Sequence, residues 1–205
     1  TNTLTLSAYR NIEINKEMTA TSGGGLALEF NQGDGGGDYT VNAPVNLPSD
    51  GSFSTKDGSA GSTVSYTIIT DLGTEGSMTG SDLQGMQGTL DGDYVLGADI
   101  DASAASGWNS GAGFAPVGDS TTAFSGTFDG QDHTIRNLTI ARPSATKVGL
   151  FGNVTGTVSD VSITSSTVVG ESQVGSLVGN NRGRIDGVSA SGDVSGRSFA
   201  VGGLV

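Results

Sequence analysis

The sequence predicts an all-β chain wound as a parallel β-helix, and three observations carry that reading. One phrase recurs: KVGLFG at 147–152, QVGSLVG at 173–179 and AVGGLV at 200–205. Its leucines, Leu150, Leu177 and Leu204, are 27 residues apart each time, and residues 153–178 align with 180–205 without a gap, matching at 8 of 26 positions. The chain also holds 35 Gly among 205 residues and shows no 3.6-residue apolar period, which excludes helical repeats. A coil of this length cannot bury its apolar residues alone, so successive coils must stack. A β-propeller would need about 40–45 residues per blade.

The strands follow in order. In the first third, LTL (4–6), IEI (12–14), LALEF (26–30) and YTV (39–41) alternate apolar and polar residues, as half-buried strands do, and Gly-rich turns separate them. Leu4 to Leu26 is 22 residues and Leu26 to Phe53 is 27. Residues 55–65 have loop composition. SDLQGMQGTL (81–90) places Leu83, Met86 and Leu90 on one face of a short helix, with Ser81 or Asp82 as its N-cap. Gly85 and Gly88 each cost that helix about 1 kcal/mol. DYVLGADI (93–100) resumes as a strand, and residues 101–118 form a long loop over the coil. TIRNLTI (134–140), TVSDVSI (157–163) and RIDGVSA (184–190) then share a pattern in which the first apolar residue stands three before the second. That breaks the two-residue alternation, so a corner is expected at Arg136-Asn137, Ser159-Asp160 and Asp186-Gly187. Three regions result: shaft coils at 1–55, a helix-and-loop insertion at 56–122 and repeat coils at 123–205. At about 25 residues per coil the chain makes about eight coils, a rod of roughly 35–40 Å.

Composition bounds the function. Apolar content is 34%, enough for a narrow core only, and the regular spacing argues against the disorder that a Gly-, Ser- and Asp-rich chain could otherwise adopt. A net charge of -12 repels phosphate backbones, so nucleic acid is an improbable partner, and it disfavours anionic membrane surfaces. No apolar stretch is long enough to cross a bilayer, so no membrane insertion is expected. The first residues lack the basic and apolar segments of a signal peptide. With no Cys there is no disulfide and no thiolate metal site. The chain starts inside patterned sequence, and AVGGLV stops before the Gly that follows the two earlier copies, so a longer rod is expected to contain it.

GDYVLGADIDASAASGWNSGAGFAPVG, FSGTFDGQDHTIRNLTI, VGLFG and VGSLVG together resemble the GLUG-repeat regions of large bacterial exoproteins of the filamentous-haemagglutinin type, and NTLTLSAYRNIEIN resembles their shaft. The resemblance implies a right-handed parallel β-helix in an adhesin exported by two-partner secretion, with an outer-membrane secretion partner, as in biofilm-matrix adhesins. It also touches the accessory stalks of some secreted peptidases. The secretion domain of such exoproteins is not in this sequence.

Candidate chemistry is sparse. His133, the single His, follows Asp129 and Asp132 in DGQDHTI, but no nucleophile is spaced to join it, and a turn role is expected. Asp99 and Asp101 face one side of a strand about 6.7 Å apart at Cα, a spacing that paired glycosidase carboxylates can use. No further acidic and basic partners cluster beside them, so a structural role is favoured. NQGDGGGD (31–38) and DGD (91–93) invite Ca²⁺ but match no cation-loop pattern. NLT (137–139) and NVT (153–155) fit the glycosylation triplet. Trp108, Phe114 and Phe124 either pin the long loop or stack on a sugar, with pinning favoured. Arg182 and Arg184 lie near Asp186, and no RGD tripeptide occurs.

The sequence reading is therefore a right-handed parallel β-helix with one insertion, serving as a structural and adhesive segment of a secreted or surface-held bacterial protein. Its expected partner is extracellular polysaccharide or a cell surface. No catalytic, metal or cofactor residues are assigned and no enzyme activity is expected. The alternatives are a polysaccharide-cleaving β-helix, a peptidase stalk, or a pure spacer.

Overall fold

A computed structural model describes residues 2–205 as a β-solenoid of about seven turns. The first winding comprises β1 (Thr3–Ser7), β2 (Ile12–Ile14) and β3 (Met18–Thr19), then β4 (Gly25–Phe30), β5 (Tyr39–Val41) and β6 (Val45–Asn46), and ends on β7 (Ser52–Asp57). Its rungs are parallel: Leu4 lies on Leu26 and Leu26 on Phe53, which are the 22- and 27-residue spacings of the sequence. Ile12 lies on Tyr39 and Met18 on Val45. Alternate residues of each strand (Leu26, Leu28 and Phe30 on β4) point inward and form one core with Ile12, Val41, Val45 and Phe53.

After β7 the chain turns over. β8 (Thr63–Ile69) pairs antiparallel with β7, setting Phe53 opposite Tyr66 and Ser54 opposite Ser65. All later rungs are parallel to β8: first β9 (Asp93–Leu96), then β11 (Thr127–Arg136), β15 (Thr157–Gly170), and finally β18 (Arg184–Asp186) with β19 (Ser189–Gly196). The core changes face at the same point. Ile68 and Val95 belong to the first core, whereas their neighbours Ile69, Tyr94 and Leu96 belong to a second core with Phe128, Ile135 and Phe151. The end of β8 (Ile68 and Ile69) and β9 are thus buried on both faces and shared by two windings. Reversing the strand direction alone would reverse the hand of the coil. Moving the core to the opposite face restores it, so both windings keep the same hand, and parallel crossovers prefer the right-handed one.

The second winding is completed by β10 (Ile100–Asp101), β12 (Thr139–Ala141), β13 (Thr146–Val148), β14 (Phe151–Val154), β16 (Ser172–Val174) and β17 (Val178–Asn181). Val148 stacks on Val174 and Val174 on Val201, while Phe151 stacks on Val178. These pairs place the recurring phrase in successive core layers. Corners stack too. Asp132, Asp160 and Gly187 form one row of left-handed residues, with φ of 61°, 51° and 59°; Asn137 and Ser165 begin a second, and Lys147, Gln173 and Ala200 a third. Asp and Asn tolerate this conformation because their short side chains bond locally. TVSDVSI stacks on RIDGVSA, with Val158 on Ile185 and Ile163 on Ala190. TIRNLTI does not join that stack: Val158 lies on Phe128 and Ile163 on Ile135. The register shift between Asp129 and His133 moves that phrase one corner along the coil.

Between residues 56 and 122 the chain supplies β8, β9 and β10 to the stack as well as three short helical turns, at Gln84–Gly88, Ser103–Gly107 and Trp108–Gly111. The helix expected at 81–90 is a 3₁₀ turn, Gln84–Gly88, in which Leu83 and Met86 are fully buried. Asp82 sets its start, accepting the Gly85 N–H at 2.6 Å and the hydroxyls of Ser77 and Thr79. Gln84 pins the long loop through both ends of its amide, donating to the Ala115 carbonyl at 3.1 Å and accepting from the Ala115 N–H at 3.0 Å. Near Trp108–Gly111 the backbone makes a single turn with Asn109 and Ser110 left-handed. Glycines set the closest rung contacts: a Cβ on Gly126, Gly156 or Gly183 would overlap the carbonyl oxygen of Gly92, Gly126 or Gly156 in the rung before.

Candidate functional site at the seam between the windings

The outward face of the second winding carries one ladder row, Ile68–Val95–Asp129–Ser159–Asp186. Its first members cover the end of the first core. Asp129 is the first polar residue in the row and is still completely buried, and the row reaches solvent at Asp186. This is where the first winding stops overlapping the second. Tyr39, from β5, bridges the two by donating its hydroxyl to Asp129 Oδ2 at 2.7 Å. Gln131 adds its backbone N–H at 2.9 Å and its side-chain amide at 2.6 Å. Burial raises the Asp129 carboxyl above the ordinary range despite these three donors, and burial followed by the neighbouring Asp129 charge raises the Tyr39 hydroxyl.

His133 stands on the same strand and is also buried, at 2% exposure. Its Nε2 faces the Val45 carbonyl at 3.1 Å, and its Nδ1 faces Asp99 Oδ1 at 3.2 Å. Asp99 Oδ1 also accepts the Thr134 N–H at 2.9 Å. Neither ring nitrogen is free to take a proton from a substrate, so the ring braces the seam instead of acting as a general base. Sequence reasoning paired His133 with Asp129 and Asp132, and Asp99 with Asp101. The structure joins His133 to Asp99.

Beyond Tyr39 the two windings diverge and leave a cleft of about 620 Å³ between β5 and the outer face of β11, β15 and β18. Asp38, Asp132, Asp160 and Asp186 line it, with Arg184 as the one cation among the described residues, and Arg184 is paired to Asp186 at 2.7 Å. Burial first, then the charges of Asp129, Asp186 and Asp132, push the Asp160 carboxyl up to about 7. The meeting of Tyr39 with Asp129 and the placement of Asp160 at this cleft were not identified from the sequence. The available signal was Asp129 standing in register with two buried apolar residues, and that register cannot be known before the fold.

The other sequence candidates serve neighbouring turns. Asp101 accepts from Asn137 Nδ2 at 3.0 Å and from the Ser103 N–H at 3.0 Å, and it lies 3.3 Å from Arg136, so its carboxyl is held well below the ordinary range. Asn137 therefore has its amide engaged. Asn153 is nearly buried and accepts from Asn180 at 2.7 Å, one rung away. Asp34 accepts the Ser59 N–H and hydroxyl. Phe114 and Phe124 are fully buried, and Trp108 packs against the core from its edge. An apolar pocket of about 440 Å³, lined by Leu4, Leu26, Val45 and Leu47, opens at the far end of the first winding. Among the described residues no group of three or more His, Asp or Glu converges to hold a metal ion, and no helix is long and apolar enough to cross a membrane.

Comparison with known proteins adds two partial matches. The chain is 43% identical over 117 residues to halomucin of Haloquadratum walsbyi, covering 55% of this chain and 1% of that protein. It is 37% identical over 84 residues to a protein of Evansella cellulosilytica named "Putative Gly-rich membrane protein", covering 38% of this chain and 10% of that protein. The chain thus spans a small part of each relative's length. No family model matches it, and no solved structure matches it.

Proposed function

We propose that the chain is a structural and adhesive segment of a much larger extracellular, surface-held protein, in which stacked rungs make a stiff shaft that displays its turns and cleft. The observation that carries this reading is the continuous sheet running from β1 through β7, β8, β9 and β11 to β15, which ties two windings into one stack. The inner rungs bury their apolar faces against the next, the stacked arrangement expected of a shaft. A relative that is a mucin by name, and another named for a membrane, support a place at the cell surface. The resemblance to filamentous-haemagglutinin exoproteins supplies an export route, two-partner secretion, and polysaccharide or another cell surface is the partner.

Passing the folded chain over immobilised neutral and acidic polysaccharides and over intact cells tests the adhesive half. Retention on at least one of them is the expected result. Elution without delay from all of them would remove adhesion and leave a spacer. A second reading, polysaccharide cleavage, draws on Asp160, since a carboxyl that titrates near neutrality in an acidic cleft suits a general acid. New reducing ends released from a polysaccharide by this chain, and lost in Asp160→Asn, would favour that reading over the shaft.

A further inference from the structure

The seam joins two windings through a small set of groups whose hydrogen bonds depend on their protons. Asp129 is wholly buried, and its three donors are neutral: the Tyr39 hydroxyl, the Gln131 N–H and the Gln131 amide. His133 faces an acceptor from each ring nitrogen, the Val45 carbonyl on β6 and the Asp99 carboxylate. Asp160 stands at the cleft wall with Asp132 and Asp186, facing Asp38 on the first winding.

We infer that this seam is a proton-controlled clasp: the windings are held together while Asp129 and Asp160 carry their protons and part at the cleft as those protons leave.

The surrounding charges all act in one direction. On the first winding the seam presents Asp38 and Tyr39. β11 presents Asp129, Asp132 and His133, and β15 presents Asp160. β18 adds Asp186 with Arg184, whose charge that carboxylate already occupies. Behind the seam, Tyr66 on β8 shares a hydrogen bond with the Thr55 hydroxyl. Asp93 on β9 adds a further negative charge near Tyr66, and Asp99 lies at the His133 end. Among the described residues no unpaired cation faces Asp129 or Asp160, so each proton lost adds uncompensated negative charge to a partly buried surface. The two carboxyls have their protonation shifted upward by burial, so the stability they contribute is complete in mild acid and is lost as pH rises.

The chain contains no Cys, so Thr40→Cys and Thr157→Cys give one unique labelling pair across the cleft. Nitroxide labels on the otherwise intact chain, read by pulsed electron paramagnetic resonance at about pH 4.5 and about pH 8.5, measure the opening on either side of the raised Asp160 carboxyl. The expected result is one short, narrow distance in acid and a shift to a longer, broader distribution in alkali. Asp160→Asn, which fixes the uncharged form at a half-exposed site, should shrink that shift, and adding Asp129→Asn should abolish it. The same distribution at both pH values in the labelled chain overturns the clasp without recourse to any charge variant. A shift that survives undiminished in folded Asp160→Asn overturns it as well. Neither result depends on what the shaft binds.

Discussion

Tyr39 and Asp129 lie 90 residues apart in the chain, yet the tyrosine hydroxyl stands 2.7 Å from a carboxylate oxygen that no solvent reaches. That contact closes the end of one winding against the outer face of the other. Tyr39→Phe keeps the ring that packs 5.4 Å from Phe30 and removes only the donor. A hydrogen bond to a buried carboxylate is worth about 2 kcal/mol, so urea unfolding should show that loss. The loss should be larger in mild acid than at pH 8, because the contact bridges the windings only while they are closed.

Asp160→Asn should act in the opposite direction. The folded carboxyl titrates at about 7, above its ordinary value, so its favourable contribution is complete below about pH 4 and is lost as pH rises through 7. The amide mimics the protonated form at every pH. It should stabilise the chain at pH 8 by about 1 kcal/mol, discounted for a half-buried site, and change little in acid. Unfolding midpoints across that pH range check both statements.

The glycine column gives a contrast within one residue type. Gly156→Ala sets a methyl group against the Gly126 carbonyl and must force two rungs apart, a cost of about 2 kcal/mol or more. Gly107 has nothing near the site of an added Cβ and has φ of -91°, so Gly107→Ala should be neutral or slightly stabilising. Thermal unfolding of the pair separates a packing requirement from simple backbone freedom.

Phe151 stands 5.0 Å from the Phe124 ring and 5.3 Å from that of Phe128, joining the long loop to the coil core. Phe151→Ala should cost about 3–5 kcal/mol, and it should free the 114–124 segment for proteolysis before the rest of the coil unfolds.

The repeat was legible because 27 residues make one coil, so Leu150, Leu177 and Leu204 had to recur at that interval. The Asp160 and Gly187 corners were legible for a similar reason: a break in alternation requires a bend, and these residues tolerate a left-handed one. The turnover between β7 and β8 was not. An alternating strand such as TVSYTII reads the same whichever way it pairs, and pairing direction depends on a partner. One trace of it lies in the sequence. Ile68-Ile69 and Tyr94-Val95-Leu96 are runs of consecutive apolar residues, the mark of a strand buried on both faces. The cleft and its buried carboxylate follow from the turnover, so they were hidden with it. His133 and Asp99 each stood out in the sequence, but their meeting depends on a 34-residue return of the coil.

The central claim is that the chain turns over between β7 and β8 and carries its core to the other face of one sheet. Two cysteine pairs in this Cys-free chain test it directly. Ser54→Cys with Ser65→Cys joins residues that stand directly opposite in the antiparallel register, close enough for a disulfide after a small adjustment. Ser54→Cys with Thr67→Cys displaces the second thiol by two residues along the same face. Rapid spontaneous oxidation of the first pair, with the second remaining reduced, is the predicted result. Oxidation of the second pair with the first left free would mean that β8 does not oppose β7 in this register, and the two-faced arrangement would fall.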